Sequence, residues 1–237
     1  MYVECPNLEK PKNENATIWR YMDFTKFVSL LDRRELFFSR TDRLGDPFEG
    51  SCPRKNLVAR AEIYGSMDVG EFYKLIREFT AVNCWHLSRY ESAAMWKIYL
   101  KSDEGIAIKS SFKRLRDSFG KSKFDICIGK VQYIDYENDE FPVDFLSCFF
   151  HKRKSFRHES ELRACIQRWP KKGFSERSKR PFHDGVYVPV NLDRLIREIC
   201  LAPKTPQWLF ELVQSVTERY KLDKEVIPSS LDTTPIY

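Results

Sequence analysis

The stretch that most constrains this chain is Phe156-Arg157-His158-Glu159-Ser160-Glu161-Leu162-Arg163-Ala164-Cys165-Ile166-Gln167-Arg168-Trp169, where a strand pattern carries charge along a whole face. Alternation places Leu162, Ala164 and Ile166 on one side, and Glu159, Glu161, Arg163, Cys165 and Gln167 on the other. A strand in a globular sheet shows a polar face to water or to a functional cleft, and carboxylates beside a guanidinium hold one another ionised where water is scarce. Glu159, Glu161 and Arg163 therefore read as the floor of a site. The plain alternative is a solvated strand whose cross-face ion pair is worth little.

The elements around it are set by periodicity and punctuation. Thr17 to Met22 reads as a short strand, and Asp23 as the cap of a helix with Phe24, Phe27, Val28 and Leu31 at helical spacing. Leu36 to Ser39 is a second strand. The turn-rich segment 40–53 holds Asp46-Pro47-Phe48-Glu49, with Phe48 as its anchor and the two acids as loop-capping carboxylates. Helices are expected over Glu71 to Phe79, Ala93 to Leu100, Phe112 to Phe119 and Phe141 to Phe156. Another opens at Pro206 under a Thr205 cap, with Trp208, Leu209, Leu212, Val213, Val216 and Tyr220 in one stripe. Further strands fall at Ala81 to Leu87, Glu104 to Lys109, Ile126 to Ile134 with Gly129 as a bulge, Gly185 to Val190, Arg197 to Leu201 and Glu225 to Ile227. The order gives an α+β fold: a single domain over 16–237, with a split or mixed, mostly antiparallel sheet and flanking helices, after a loosely ordered lead-in over 1–15.

At 237 residues, 42% of them hydrophobic, the chain can bury a substantial core. It has no apolar run of the roughly 18 residues needed to cross a bilayer and no signal-peptide pattern, so the expected setting is cytoplasmic, away from the membrane. Seven scattered cysteines, an odd number without CxxC pairs, read as reduced, mostly buried thiols, and the four histidines show no zinc spacing, so no metal is expected. Dinucleotide-binding, P-loop and hydrolase motifs are absent.

Three blocks resemble a bacterial family, the domain-of-unknown-function family 2971. They are Trp19-Arg20-Tyr21 with Phe38-Ser39 and Asp46-Pro47-Phe48-Glu49; Met95-Trp96, Tyr99 and Gly105-Ile106-Ala107-Ile108; and Lys152, Phe156 and Glu159-Ser160-Glu161-Leu162-Arg163. Gly45 stands where that family usually has Asn. A weaker resemblance, to the mono-ADP-ribosyltransferase fold, implies an opening strand bearing Arg20 or Tyr21, the helix of Phe27 to Leu31, a hydroxyl at Ser39 or Tyr99, and an essential Glu161 on a late strand. It implies NAD as cofactor and a catalytic group of Glu161, Glu159 and Arg163. Arg20, Tyr21, Ser39, Trp96 and Tyr99 would bind the cofactor. The implied protein is a bacterial NAD- or nucleotide-cleaving effector, a toxin or an antiphage factor.

The competing reading, from a different class, is a nucleic-acid or partner-binding module. It rests on three basic clusters: Lys113 to Arg116 with Lys121 and Lys123, Lys152 to Lys154, and Lys171 to Arg180, within an excess of 40 basic over 34 acidic residues.

Overall fold

The computed structural model describes residues 1–58, 69–100, 104–120, 122–142, 144–168 and 181–236. It is α+β, with mixed, mostly antiparallel strand pairing and flanking helices, as the order of elements predicts. The chain divides into two compact units, each made of three segments. Met1–Lys10, Phe37–Cys84 and Lys123–Tyr187 form the first; Pro11–Leu36, Trp85–Ser122 and Val188–Tyr237 form the second.

In the second unit β1 (Thr17–Asp23) lies antiparallel to β4 (Gly105–Ser111) along its whole length, from Thr17 opposite Ser111 to Asp23 opposite Gly105. On the far side β4 pairs with β10 (Glu198–Leu201), which takes the short parallel β11 (Val226–Ile227). The helix α1 (Phe24–Arg33) starts where expected, with the Asp23 carboxylate accepting the Lys26 N–H at 2.9 Å, and ends at Arg34 in a left-handed conformation. The unit also holds the helices α3 (Ala93–Tyr99), α4 (Phe112–Ser118) and the one-turn α5 (Leu192–Leu195). The last helix, α6 (Gln207–Arg219), departs from expectation in two ways. Pro206 precedes it without a side-chain cap, because the Thr205 hydroxyl donates back to the Ala202 carbonyl at 2.6 Å. Its buried stripe is only Leu209, Val213 and Thr217, leaving Trp208 and Leu212 exposed.

In the first unit β8 (Glu161–Gln167) pairs antiparallel with β5 (Cys127–Lys130), setting Cys165 opposite Cys127 and Arg163 opposite Gly129. It also pairs with β3 (Thr80–Leu87). The strand β2 (Glu35–Arg40) joins β3 through Ser39 and Val82, and β9 (Gly185–Pro189) joins β2. A Cβ on Gly185 would fall 2.2 Å from the Phe38 carbonyl oxygen, so only glycine allows that approach. Helix α2 (Val69–Glu78) packs Tyr73 and Ile76 into this unit's core.

Three expectations are corrected in this unit. The strand foreseen over Ile126 to Ile134 is two, β5 and β6 (Gln132–Ile134), because Val131 between them donates its N–H to the Glu161 carbonyl at 2.9 Å and β6 turns to pair in parallel with β7 (His151–Arg153). The helix foreseen over Phe141 to Phe156 does not form. Asp144 captures the Leu146 and Ser147 N–H groups at 2.8 and 2.6 Å, and the chain continues as a 3-10 turn at Ser147–Phe150, then β7, then a 3-10 run at Lys154–Glu159. The cysteines are not all reduced: Cys5 and Cys127 form a disulfide, which pins the segment read as a loose lead-in. Cys52, Cys84, Cys148 and Cys165 remain thiols, packed in the same core cluster.

Candidate functional site

The ionic group of the first unit is built from a turn and a strand. Ser160 takes a left-handed conformation (φ 40°) between Glu159 and Glu161, so β8 begins abruptly at Glu161, whose N–H is held by the Tyr133 hydroxyl at 2.9 Å. Two residues on, and on the same face, Arg163 grips the Glu161 carboxylate with both prongs: Nε donates to Oε1 at 2.7 Å and Nη2 to Oε2 at 2.9 Å. The remaining nitrogen, Nη1, donates to the Phe149 carbonyl at 2.6 Å and to the Glu49 carboxylate. Lys152 donates to Glu159 at 2.5 Å and lies 3.7 Å from Glu161.

The group is enclosed. Arg163 is fully buried, Glu49 is 1% exposed and Glu161 5%. Three carboxylates (Glu49, Glu159, Glu161) face two cations (Lys152, Arg163), and the second Glu49 oxygen, Oε2, is buried without a hydrogen-bond partner. The row is thus neither an open cleft floor nor a solvated surface pair.

Electrostatics follow the geometry. Burial alone would raise the Glu161 carboxyl, but the charge and hydrogen bonds of Arg163, with help from Lys152, outweigh it and hold the group below the usual carboxylate value. Burial likewise opposes the Arg163 charge, and Glu161 and Glu49 more than offset it. The neighbouring Cys84 thiol is pushed up, by burial first and then by Glu161. Near neutral pH, Glu161 is therefore a fixed anion suited to stabilising developing positive charge, a poor proton donor, and Cys84 is a poor nucleophile.

The sequence-predicted residues fall into separate groups. The structure brings Glu159, Glu161 and Arg163 together in the first unit. Ser39, also in that unit, is half-buried on β2 opposite Val82. Arg20, Tyr21, Trp96 and Tyr99 belong to the second unit. Tyr21 meets Trp96 edge-on at 4.8 Å and Tyr99 nearly parallel at 6.5 Å, its hydroxyl accepting the Ser92 N–H at 2.8 Å. Trp96 donates to Glu91 at 2.9 Å. Burial would raise the Glu91 carboxyl, yet hydrogen bonds from Ser230, Trp96 and Ser229 hold it below its usual value. Tyr21 and Trp96 are core, whereas Tyr99 is 43% exposed. Arg20 sits on β1 between Trp19 and Tyr21, so its side chain leaves the opposite face from theirs.

Sequence reasoning missed Glu49. Asp46 does act as a loop carboxylate, accepting the Phe48 N–H at 3.1 Å and Arg153 at 2.8 Å, but Glu49 reaches Arg163 instead. The signal was the following glycine. Gly50 has φ 69°, and a Cβ there would lie 2.6 Å from the Phe149 ring, which shows a loop pressed inward against the core.

Among the described residues, five members of the basic clusters have partners of their own. Arg114 donates to the Asp193 and Ile196 carbonyls and Arg116 pairs with Glu14 and Asp117. Lys152, Arg153 and Lys154 pair with Glu159, Asp46 and Asp139. Lys121 and the stretch from Lys171 to Arg180 lie outside the described residues. Among the described residues no helix is long and apolar enough to cross a membrane, and no group of three His, Cys, Asp or Glu is placed to hold a metal.

No family model matches the chain, so the resemblance to family 2971 stands on its three blocks of residues alone, and no curated protein matches. Among solved structures, Thermus sp. 2.9 DarT in complex with NAD+ is similar at 8% identity over 94% of this chain and 99% of that one, with a TM-score of 0.47. The same protein in complex with carba-NAD+ gives 9% identity, 93% and 98% coverage and a TM-score of 0.42. In complex with ADP-ribosylated ssDNA it gives 8%, 95% and 99%, and 0.44. Likeness at that level carries no argument about residues or chemistry in this chain.

Proposed function

We propose that the chain is an ADP-ribosyltransferase-like enzyme that cleaves the bond between nicotinamide and ribose in NAD or a related nucleotide, with Glu161 as the catalytic carboxylate. The observation that supports this reading is the Arg163 clamp: Glu161 is shielded from bulk water, oriented by two parallel hydrogen bonds and kept ionised. The glycosidic bond of NAD breaks with oxocarbenium character, so a preorganised anion beside the ribose lowers the barrier, and it acts more strongly where water is scarce. Arg163 and Lys152 are positioning cations, and Glu159, sharing Lys152, shapes the acceptor side.

The test is incubation of the purified chain with NAD labelled in its ADP-ribose half, following free nicotinamide and label on protein, DNA and RNA. Wild type is expected to release nicotinamide. Glu161→Gln, with folding checked by circular dichroism, should release it at least about 100-fold more slowly. No release by wild type with any of these acceptors present overturns the proposal.

A further inference from the structure

Within Met1–Lys10, Cys5 and Leu8 lie on the face of β5 and β8 that carries the ionic group, while Met1–Val3 and Glu9 run beside β5. Residues directly opposite across an antiparallel pair share a face, so Cys127, Gly129, Arg163 and Cys165 point the same way. A Cβ on Gly129 would meet the Leu8 Cβ at 2.9 Å and the Phe150 ring at 3.3 Å, so Leu8 rests directly on the strand next to Arg163. Cys5 is bonded to Cys127. The segment also follows the chain of β5 through main-chain bonds: Val3 N–H to the Ile126 carbonyl, Ile126 N–H to that of Met1 and Lys130 N–H to that of Glu9. Its side-chain ties to the rest of the unit include Glu9 with Lys130 and Gln132, and Asn7 with Asp144, which are largely exposed and worth little.

We propose that Met1–Lys10 is a redox-locked strap over the Glu161 and Arg163 face, with the Cys5–Cys127 disulfide as its lock. A dithiol reductant opens it. One thiolate of the reductant attacks a sulfur of the disulfide, its second thiol resolves the mixed disulfide, and Cys5 and Cys127 leave as thiols while the reductant becomes a cyclic disulfide. Cys165 faces Cys127 but does not exchange with the lock near neutral pH, because burial pushes its thiol up to about 12. Opening lifts Leu8 from Gly129 and bares the outer edge of the ionic group.

Peptide mapping without reductant, joined to hydrogen exchange before and after dithiothreitol, tests this on the whole chain. Mapping should recover Cys5 linked to Cys127. Reduction should speed exchange at Ile126 and Lys130, whose N–H groups the segment's carbonyls accept, by about tenfold or more while leaving Gly105–Ser111 of the second unit unchanged, and Cys5→Ser should exchange like the reduced protein and ignore the dithiol. Unlinked Cys5 and Cys127, a Cys127–Cys165 link, unchanged exchange on reduction, or an equal rise in both units each overturns the strap. None of these readouts involves NAD, so they stand or fall apart from the proposed activity.

Discussion

Arg163 is the residue on which the first unit's polar interior depends. It is fully buried and serves two carboxylates and a carbonyl, so its removal strands Glu49 and Glu161 without a guanidinium partner. Arg163→Met is expected to cost about 3–5 kcal/mol in urea unfolding, the usual penalty for orphaning a buried charge. The Glu161 carboxyl, depressed in the folded state below 4.5, adds stability that is present above that value and is lost as pH falls through its folded value. Wild type should thus exceed Glu161→Gln in stability at about pH 7, with the gap closing below about pH 4.5 in paired urea titrations. Glu161 and Arg163 were legible because alternation alone puts positions two apart on one face. Glu49 was not, since 114 residues separate it from its partner: Gly50 marks a loop turned inward but does not say which cation the loop meets.

Among elements, β5 shows how a strand is placed by what lies on it. Gly129→Ala is expected to destabilise by about 1–3 kcal/mol, since a methyl there meets Leu8 and the Phe150 ring. Adding Leu8→Gly, which removes the Cβ that the new methyl meets, should recover part of that loss, which a double-mutant cycle on thermal melts would show as coupling. The misread helix has a physical cause in the same neighbourhood. Phe145, Leu146, Phe149 and Phe150 recur at helical spacing, yet all four pack into one core cluster, and Asp144 spends its carboxylate on the N–H groups that a helix would have used otherwise. By contrast α1 and β1 were readable to within a residue or two, because Asp23 caps locally and nothing distant competes.

For the molecule as a whole, the α+β class was visible in the order of strands and helices, whereas the covalent link was not. An odd number of scattered cysteines says nothing of which two approach, and the pair that does is 122 residues apart. Closing so long a loop constrains the unfolded chain, an effect that no local pattern in the sequence records. In the described basic runs, Arg114, Arg116 and Arg153 already have acceptors within the fold, so the net charge of +6 does not by itself say which cations are open to a partner.

Glu49 leaves the ribosome long before Arg163 does, and during that interval its loop has no cation to close upon. The loop that carries Glu49 consequently closes on its cation only after synthesis has passed β8, and a polypeptide cut short before β8 never acquires that closure.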